Sequence, residues 1–119
     1  MAAAFPAHSH EIQCNPSGSQ QELNVCAFEV FTIADDEMNR LYREQMAYLT
    51  QAPIKERLKA AQKAWLSYRD ASCLYENGTR EESGSIWPMA QSACEANLTR
   101  QRNLVLKEYI ACRDNGCPY

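Results

Sequence analysis

Residues 54–75, IKERLKAAQKAWLSYRDASCLY, decide the fold. Apolar or small residues recur here at alternating steps of four and three, which places them on one face of an α-helix. They are Ile54, Leu58, Ala61, Trp65, Tyr68, Ser72 and Tyr75. Pro53 suits the first turn of this helix, and the pair Asn77-Gly78 predicts its end, because glycine readily adopts a left-handed conformation. The stretch therefore predicts a long amphipathic second helix.

A first helix is predicted upstream, from Gln20 to Leu49. Ser19-Gln-Gln-Glu22 is typical of a capping box, in which each of the two side chains accepts a hydrogen bond from the other residue's backbone amide. Steps of three and four again connect the apolar or small residues, together with one glutamine. The series is Leu23, Ala27, Val30, Ala34, Met38, Leu41, Gln45 and Tyr48.

A third helix is predicted after a polar loop over residues 78–87. Ser85 suits its N-cap and Pro88 its first turn, and the pair Asn115-Gly116 predicts its end. Its helical pattern comprises Met89, Ala93, Cys94, Leu98, Gln101, Val105, Tyr109 and Cys112. Short connections make neighbouring helices antiparallel, and no strand pattern is convincing. The predicted fold is therefore all-α, an elongated antiparallel three-helix bundle with disulfides.

Composition and charge narrow the class of protein. The chain has 119 residues, which suits a single domain. A net charge of −3 argues against nucleic-acid binding, which needs an excess of basic residues. No apolar run approaches the length of about 20 residues that a membrane span needs. Residues 1–13 are predicted to be a signal-peptide remnant or disordered tail, because small residues follow Met1, and residues 14–119 to be one helical domain.

The chain has six cysteines, an even number spread over almost its whole length: Cys14, Cys26, Cys73, Cys94, Cys112 and Cys117. This usage indicates an oxidising compartment, periplasmic or secreted. Cys112 lies about 27 Å along the third helix from Cys94. A disulfide needs Cα atoms within about 7 Å, so Cys112 is expected to pair with Cys117. The other four allow three arrangements, of which Cys14–Cys26 with Cys73–Cys94 is preferred; an alternative leaves one or more cysteines free and buried.

The charged residues are unevenly divided. The first helix carries six acids against two bases, and the second carries five bases against three acids. Glu22, Glu29 and Asp36 share one helix face, which is interpreted as a solvated face in preference to a site for a basic partner. Asp70 is expected to form an ion pair with Arg102. Such a pair between helices is better suited to fixing the helix register than to catalysis.

A second expected ion pair joins Arg69 to Asp35 or Asp36, again between helices. The chain has only two histidines, His8 and His10, both in the predicted tail. No nucleophile–base pair, phosphate-binding loop or metal cluster is visible in the sequence. We therefore expect no catalytic residue, no metal and no cofactor.

Several motifs resemble the LprI-like family of small secreted bacterial domains, over about Cys14 to Leu106. The longest is Gln-x-Ala-Trp-Leu-x-Tyr-Arg-Asp-x-x-Cys, residues 62–73. The others are Gln21-x-Leu-Asn24-x-Cys26, Ala34-Asp35 with Met38-Asn39 and Tyr42, Leu58, Gly84-Ser85, and Cys94-x-x-x-Leu-Thr99-x-x-Arg102. The resemblance implies a helical, disulfide-linked extracytoplasmic domain. The recurring polar residues are interpreted as a network that holds the helices in register: Asp35, Asn39, Arg69, Asp70, Thr99 and Arg102.

The family takes its name from a member regarded as a lysozyme inhibitor. The resemblance therefore implies a periplasmic protein that blocks a basic lysozyme-type muramidase sterically and electrostatically. The polar loop is the expected contact, through Glu81, Glu82, Ser83, Gly84 and Ser85. The alternative is an envelope structural or interaction module that binds another protein or a small ligand without catalysis.

Overall fold

The computed structural model describes residues 12–117, which are helical with no β-strand among them. Helix α1 spans Gln20–Tyr48, α2 Ala52–Asn77, α3 Arg80–Ser83 and α4 Trp87–Ala111; 3₁₀ turns span Gly84–Ile86 and Cys112–Asn115. The prediction of an all-α fold with disulfides is confirmed. Most of the predicted tail, including His8 and His10, lies outside the described residues. None of the described helices is long and apolar enough to cross a membrane.

The ends of α1 and α2 lie close to their predicted positions. Ser19 Oγ accepts a hydrogen bond from the Glu22 amide at 3.1 Å, and the Glu22 carboxylate accepts one from the Ser19 amide at 2.7 Å. This is the predicted capping box. Helix α2 has a proline in its first turn and ends before Gly78, whose φ of +68° is a conformation that L-residues rarely adopt.

The predicted polar loop over residues 78–87 is largely helical, so that prediction was wrong. Helix α3 and a 3₁₀ turn occupy it. A second capping motif starts α3, because the Glu82 carboxylate accepts hydrogen bonds from the Thr79 amide at 2.8 Å and from its hydroxyl at 3.1 Å. The 3₁₀ turn then leads directly into α4, which begins at Trp87 without a Ser85 side-chain cap.

The long helices run in alternating directions along the chain. Near the start of both α1 and α4, Asn24 Oδ1 accepts a hydrogen bond from the Met89 amide at 3.1 Å. Near the end of α1, Gln45 binds Arg113, which lies two residues beyond the end of α4. Helices α1 and α4 are therefore parallel. The late part of α2 joins the early part of α4 through Cys73–Cys94, so α2 is antiparallel to α4.

The buried face of α1 agrees with its apolar pattern, but the pattern of α2 was misleading. Helix α2 buries Gln62, Arg69 and Cys73, whereas Tyr68 is 59% exposed and Tyr75 is 90% exposed. Polar side chains face the other helices here because they find hydrogen-bond partners there. Apolar periodicity therefore identified a face that is exposed at Tyr68 and Tyr75, although its Trp65 packs against the core.

Helix α4 shows the same offset. Its predicted stripe includes Ala93 and Gln101, which are exposed. Its buried residues follow a different helical series: Ser92, Ala96, Thr99, Arg102, Asn103 and Leu106. The fully apolar core is correspondingly small. It comprises Met38, Leu41 and Leu106, with Trp65 among the partly buried side chains that pack against it.

Three disulfides clasp the helices. The structure joins the pairs Cys14–Cys26, Cys73–Cys94 and Cys112–Cys117, with Cα–Cα distances of 5.8, 5.8 and 5.7 Å. No cysteine is free. Two clasps lie at the end of the molecule where α1 and α4 begin, and the third follows α4.

Candidate functional site

The residues predicted to contact a partner lie on α3 and the 3₁₀ turn that follows it, here called the corner segment (residues 78–86). Of these residues, Glu81, Glu82, Gly84 and Ser85 are exposed, and Ser83 is half-buried. The segment connects α2 to α4 beside the Cys73–Cys94 disulfide. It presents its side chains at the corner of the molecule where these two helices meet.

Three hydrogen bonds hold the corner segment in place. Trp87 Nε1 donates to the Gly78 carbonyl at 2.9 Å, and Ser83 Oγ donates to the Asn77 carbonyl at 2.6 Å. From α1, Asn24 Nδ2 donates to the Ser85 carbonyl at 2.9 Å. These bonds order the segment before any partner arrives, which lowers the entropic cost of binding.

The adjacent residues Glu81 and Glu82 differ in whether their carboxylates are free to bind a partner. The Glu82 carboxylate accepts hydrogen bonds from Thr79, and the backbone amide bond in particular lowers the pKa of Glu82 from its ordinary value. Glu81 forms no ion pair or hydrogen bond with any of residues 12–117. Glu81 is therefore the acidic side chain that can most readily meet a cationic group. Around Gly84, no atom lies within 4 Å of where a Cβ would stand, so the surface there is open.

The predicted polar network is centred on Arg69. Its Nη1 lies 3.5 Å from Asp35 Oδ1, on α1, and donates to Thr99 Oγ1, on α4, at 3.4 Å. Its Nε lies 3.1 Å from Asp70 Oδ1. Asn39 Nδ2 donates to the Asp35 carboxylate at 3.4 Å. The structure thus brings together five of the six predicted network residues.

Aromatic rings flank this guanidinium. Its Cζ lies 5.3 Å from the centre of the Phe31 ring and 5.6 Å from the Trp65 ring. The sixth predicted residue, Arg102, lies 6.0 Å from the Trp65 ring. A guanidinium over an aromatic face gains electrostatic attraction from the ring quadrupole. Trp65 therefore connects the two arginines, a relationship that helical spacing alone does not reveal.

The predicted pair between Asp70 and Arg102 is absent from the structure, and that prediction was wrong. Asp70 pairs with its neighbour Arg69, and its side chain is 62% exposed. Arg102 is buried and donates through Nε to Gln62 Oε1 at 3.0 Å. The two side chains therefore have different partners and very different exposure.

Glu95 is a member of this cluster that the sequence reasoning missed. It is half-buried on α4, and burial raises its pKa above the ordinary value; Arg69 opposes that effect, while Asp70 and Asp35 add to it. Its position four residues before Thr99, on the same helix face, was the available signal. The carboxyl groups of Glu95, Asp35 and Asp70 thus all lie within electrostatic range of the Arg69 guanidinium.

The acidic face predicted on α1 is on the surface, since Glu22, Glu29 and Asp36 are all exposed. In the described part of the chain, no three His, Cys, Asp or Glu side chains are grouped as a metal site requires.

One comparison with known proteins identifies a family for most of this chain. The family model described as "Lysozyme inhibitor LprI" matches residues 13–106. An uncharacterized protein of Rhizobium meliloti (strain 1021) is 36% identical over 121 residues, covering 92% of this chain and 86% of that protein. No solved structure matches significantly. The matched region contains both the corner segment and the Arg69 cluster, and it ends before Cys112.

Proposed function

This chain belongs to the lysozyme inhibitor LprI family, and on that premise we propose that it is an extracytoplasmic bacterial protein that inhibits a lysozyme-type muramidase. The family match over residues 13–106 is the observation that carries the proposal. Inhibition here means blocking the enzyme's cleft by steric and electrostatic contact, and the protein itself is non-catalytic.

The corner segment is the surface that we assign to the enzyme. It is ordered by hydrogen bonds from both of its flanks and from α1, and it exposes Glu81 without an internal partner. The net charge of −3 favours a basic partner, because complementary potentials steer two proteins toward each other. Gly84 and Ser85 would then contact the rim of the cleft.

Extracytoplasmic localisation, periplasmic or secreted, is part of the same proposal. All six cysteines are in disulfides, and such bonds persist in oxidising compartments. We assign the family function to the single domain that begins at Cys14.

The arrangement of the long helices is interpreted as an elongated antiparallel three-helix bundle. Arg69 supports this interpretation, because one side chain on α2 contacts Asp35 on α1 and Thr99 on α4. The polar cluster around it is assigned a structural role, the holding of helix register.

A panel of muramidases of different net charge tests the proposal. The oxidised chain should slow hydrolysis of a peptidoglycan suspension by at least one basic enzyme at micromolar concentration or below. Absence of inhibition across the panel would overturn the proposal and favour the alternative, an envelope module that binds another protein.

Two matched charge reversals locate the contact. Glu81→Lys should weaken inhibition at least tenfold, because it places a cation against a basic enzyme. Glu56→Lys makes the same change at an exposed position about 30 Å along α2. It should inhibit nearly as well as the unmodified chain. Equal effects of the two reversals would exclude the corner segment as the contact.

A further inference from the structure

Arg102 is a buried cation that has no anionic partner among residues 12–117. The residue is only 8% exposed, and a guanidinium remains protonated at any ordinary pH. Its Nε donates to the neutral Gln62 side chain, but its buried Nη2 has no hydrogen-bond partner. Within residues 12–117 it forms no ion pair. A buried charge left uncompensated destabilises a fold, so an anion bound near Arg102 would stabilise it.

A cleft of about 320 Å³ opens near this guanidinium, where the end of α1, the start of α2 and the end of α4 meet. Its lining is mostly apolar: Leu49, Ile54, Leu58, Ala61 and Tyr109, with Gln45 and Arg57. Tyr109 relates the cleft to the buried cation, since the centre of its ring lies 6.0 Å from Arg102 Cζ. The lining contains no acidic residue.

Gln45 supplies an amide donor to the same cleft. It is 1% exposed, and its Oε1 accepts hydrogen bonds from Arg113 Nη2 at 2.9 Å and Nε at 3.3 Å. This contact fixes the orientation of the amide, because Arg113 can only donate. The Nε2 group donates to no residue of the described chain. Gln45 and Arg57 therefore both offer N–H donors to the cleft, with no acceptor group of opposite charge beside them.

We propose that this cleft binds a small amphipathic anion, such as a medium-chain carboxylate. The apolar chain packs against Leu49, Ile54 and Leu58, and the carboxylate accepts hydrogen bonds from Arg57 and Gln45. Charge complementarity selects an anion, because the lining contains Arg57 and no acidic residue, and the Tyr109 ring of the lining lies 6.0 Å from the Arg102 guanidinium. The volume lies at the lower end of ligand pockets, about 300–1,000 Å³, which limits the ligand to a small molecule.

This site is separate from the proposed muramidase contact. Leu58 and the corner segment lie at opposite ends of α2, about 30 Å apart. Ligand binding and muramidase inhibition can therefore succeed or fail independently.

Isothermal titration calorimetry of the oxidised full chain tests the proposal with decanoate below its micelle-forming concentration. Decanol and decyltrimethylammonium are the neutral and cationic controls of equal chain length. Decanoate should bind saturably, with one site and at least tenfold more tightly than decanol, and the cation should not bind. Each methylene removed from the carboxylate should weaken binding about fourfold. No saturable binding of decanoate, or equal binding of decanoate and decanol, would overturn the proposal.

Matched variants place the ligand in the cleft. Ala61→Trp fills the cleft from an exposed position and should abolish decanoate binding, whereas Ala64→Trp, exposed on the same helix but outside the lining, should not. Arg57→Gln should weaken binding about tenfold, and Lys59→Gln should leave it unchanged. Unaltered binding by Ala61→Trp would exclude this cleft.

The contribution of Arg102 is tested by the preference for the anion. Arg102→Gln should reduce the ratio of decanoate to decanol affinity, with far-ultraviolet circular dichroism confirming that the chain remains helical. A ratio that remains unchanged in the folded variant would contradict the role assigned to the buried charge.

Discussion

Arg69 on α2 lies 3.5 Å from the carboxylate of Asp35 on α1, measured from Nη1 to Oδ1. The arginine side chain is 11% exposed and the aspartate side chain 32% exposed. Removing one member of such a pair leaves the other charge poorly solvated, which costs more than the pair itself contributes. This contact is therefore a sensitive point for the packing of α2 against α1.

Asp35→Asn should destabilise the protein by about 1–3 kcal/mol, because it removes one of the two carboxylates paired with a largely buried guanidinium, and the other, Asp70, is mostly exposed. Urea-induced unfolding followed by circular dichroism measures the change. Asp36→Asn is the matched control, since Asp36 is exposed and should change stability by no more than about 0.5 kcal/mol. Equal losses in the two variants would contradict the structural role of the Arg69–Asp35 pair.

The Cys73–Cys94 disulfide should contribute about 3 kcal/mol, because it closes a loop with a sequence separation of 21. The double variant Cys73→Ala with Cys94→Ala should lose that amount in thermal unfolding. Alanine is chosen because Cys73 is fully buried and alanine introduces no polar group there. Replacing Cys112 and Cys117 by alanine should cost less, about 2 kcal/mol, because that bond spans only five positions. A larger loss of stability on removing Cys112–Cys117 than on removing Cys73–Cys94 would contradict this account.

Glu95 should give the stability a distinctive pH dependence. Burial raises its folded-state pKa above the ordinary 4.5, so the folded chain retains the proton to higher pH than the unfolded chain. Stability contributed by the protonated form is therefore present below pH 4.5 and is lost as pH rises through the folded-state pKa.

Glu95→Gln consequently should stabilise the protein at pH 7, and this gain should shrink as the pH falls through the raised folded-state pKa of Glu95 and be smallest below pH 4.5. Denaturant midpoints measured from pH 3 to pH 8 give the comparison. Glu108→Gln, at an exposed position of the same helix, should show no such trend. A loss of stability at pH 7 in Glu95→Gln would mean that attraction to Arg69 outweighs burial.

Ser19→Ala should destabilise the protein by about 1 kcal/mol, because the N-cap oxygen that accepts from the Glu22 amide is lost. Thermal unfolding with Ser17→Ala as the control isolates this effect. The Ser17 side chain forms no hydrogen bond with the described residues. If both variants unfold at the same temperature as the unmodified chain, the capping box makes no measurable contribution to stability.

The helix boundaries of α1 and α2 were predictable because short-range chemistry sets them. Ser19 and Glu22 satisfy each other's backbone groups, and Pro53 suits only the first turn of a helix. The same chemistry at Thr79 and Glu82 also predicts α3. The prediction of a polar loop missed α3 because the segment is short and polar, and Gly78 and Gly84 flank it.

The buried faces of α2 and α4 were not predictable from apolar periodicity. Arg69, Thr99 and Arg102 are buried because they contact each other's helices or Trp65, and such contacts arise only once the helices have packed. Tyr68 and Tyr75 continue the apolar spacing and are nonetheless exposed. Spacing identifies which residues share a face, whereas the partners on neighbouring helices decide which face is buried.

The dependence of muramidase rate on substrate concentration tests the central claim most directly. Initial rates of a basic lysozyme-type enzyme are measured at several fixed concentrations of the oxidised chain. Because the proposed contact blocks the substrate cleft, the apparent KM should rise with the concentration of the chain while kcat remains constant. Rates that are identical with and without micromolar chain, at every substrate concentration, would contradict the account.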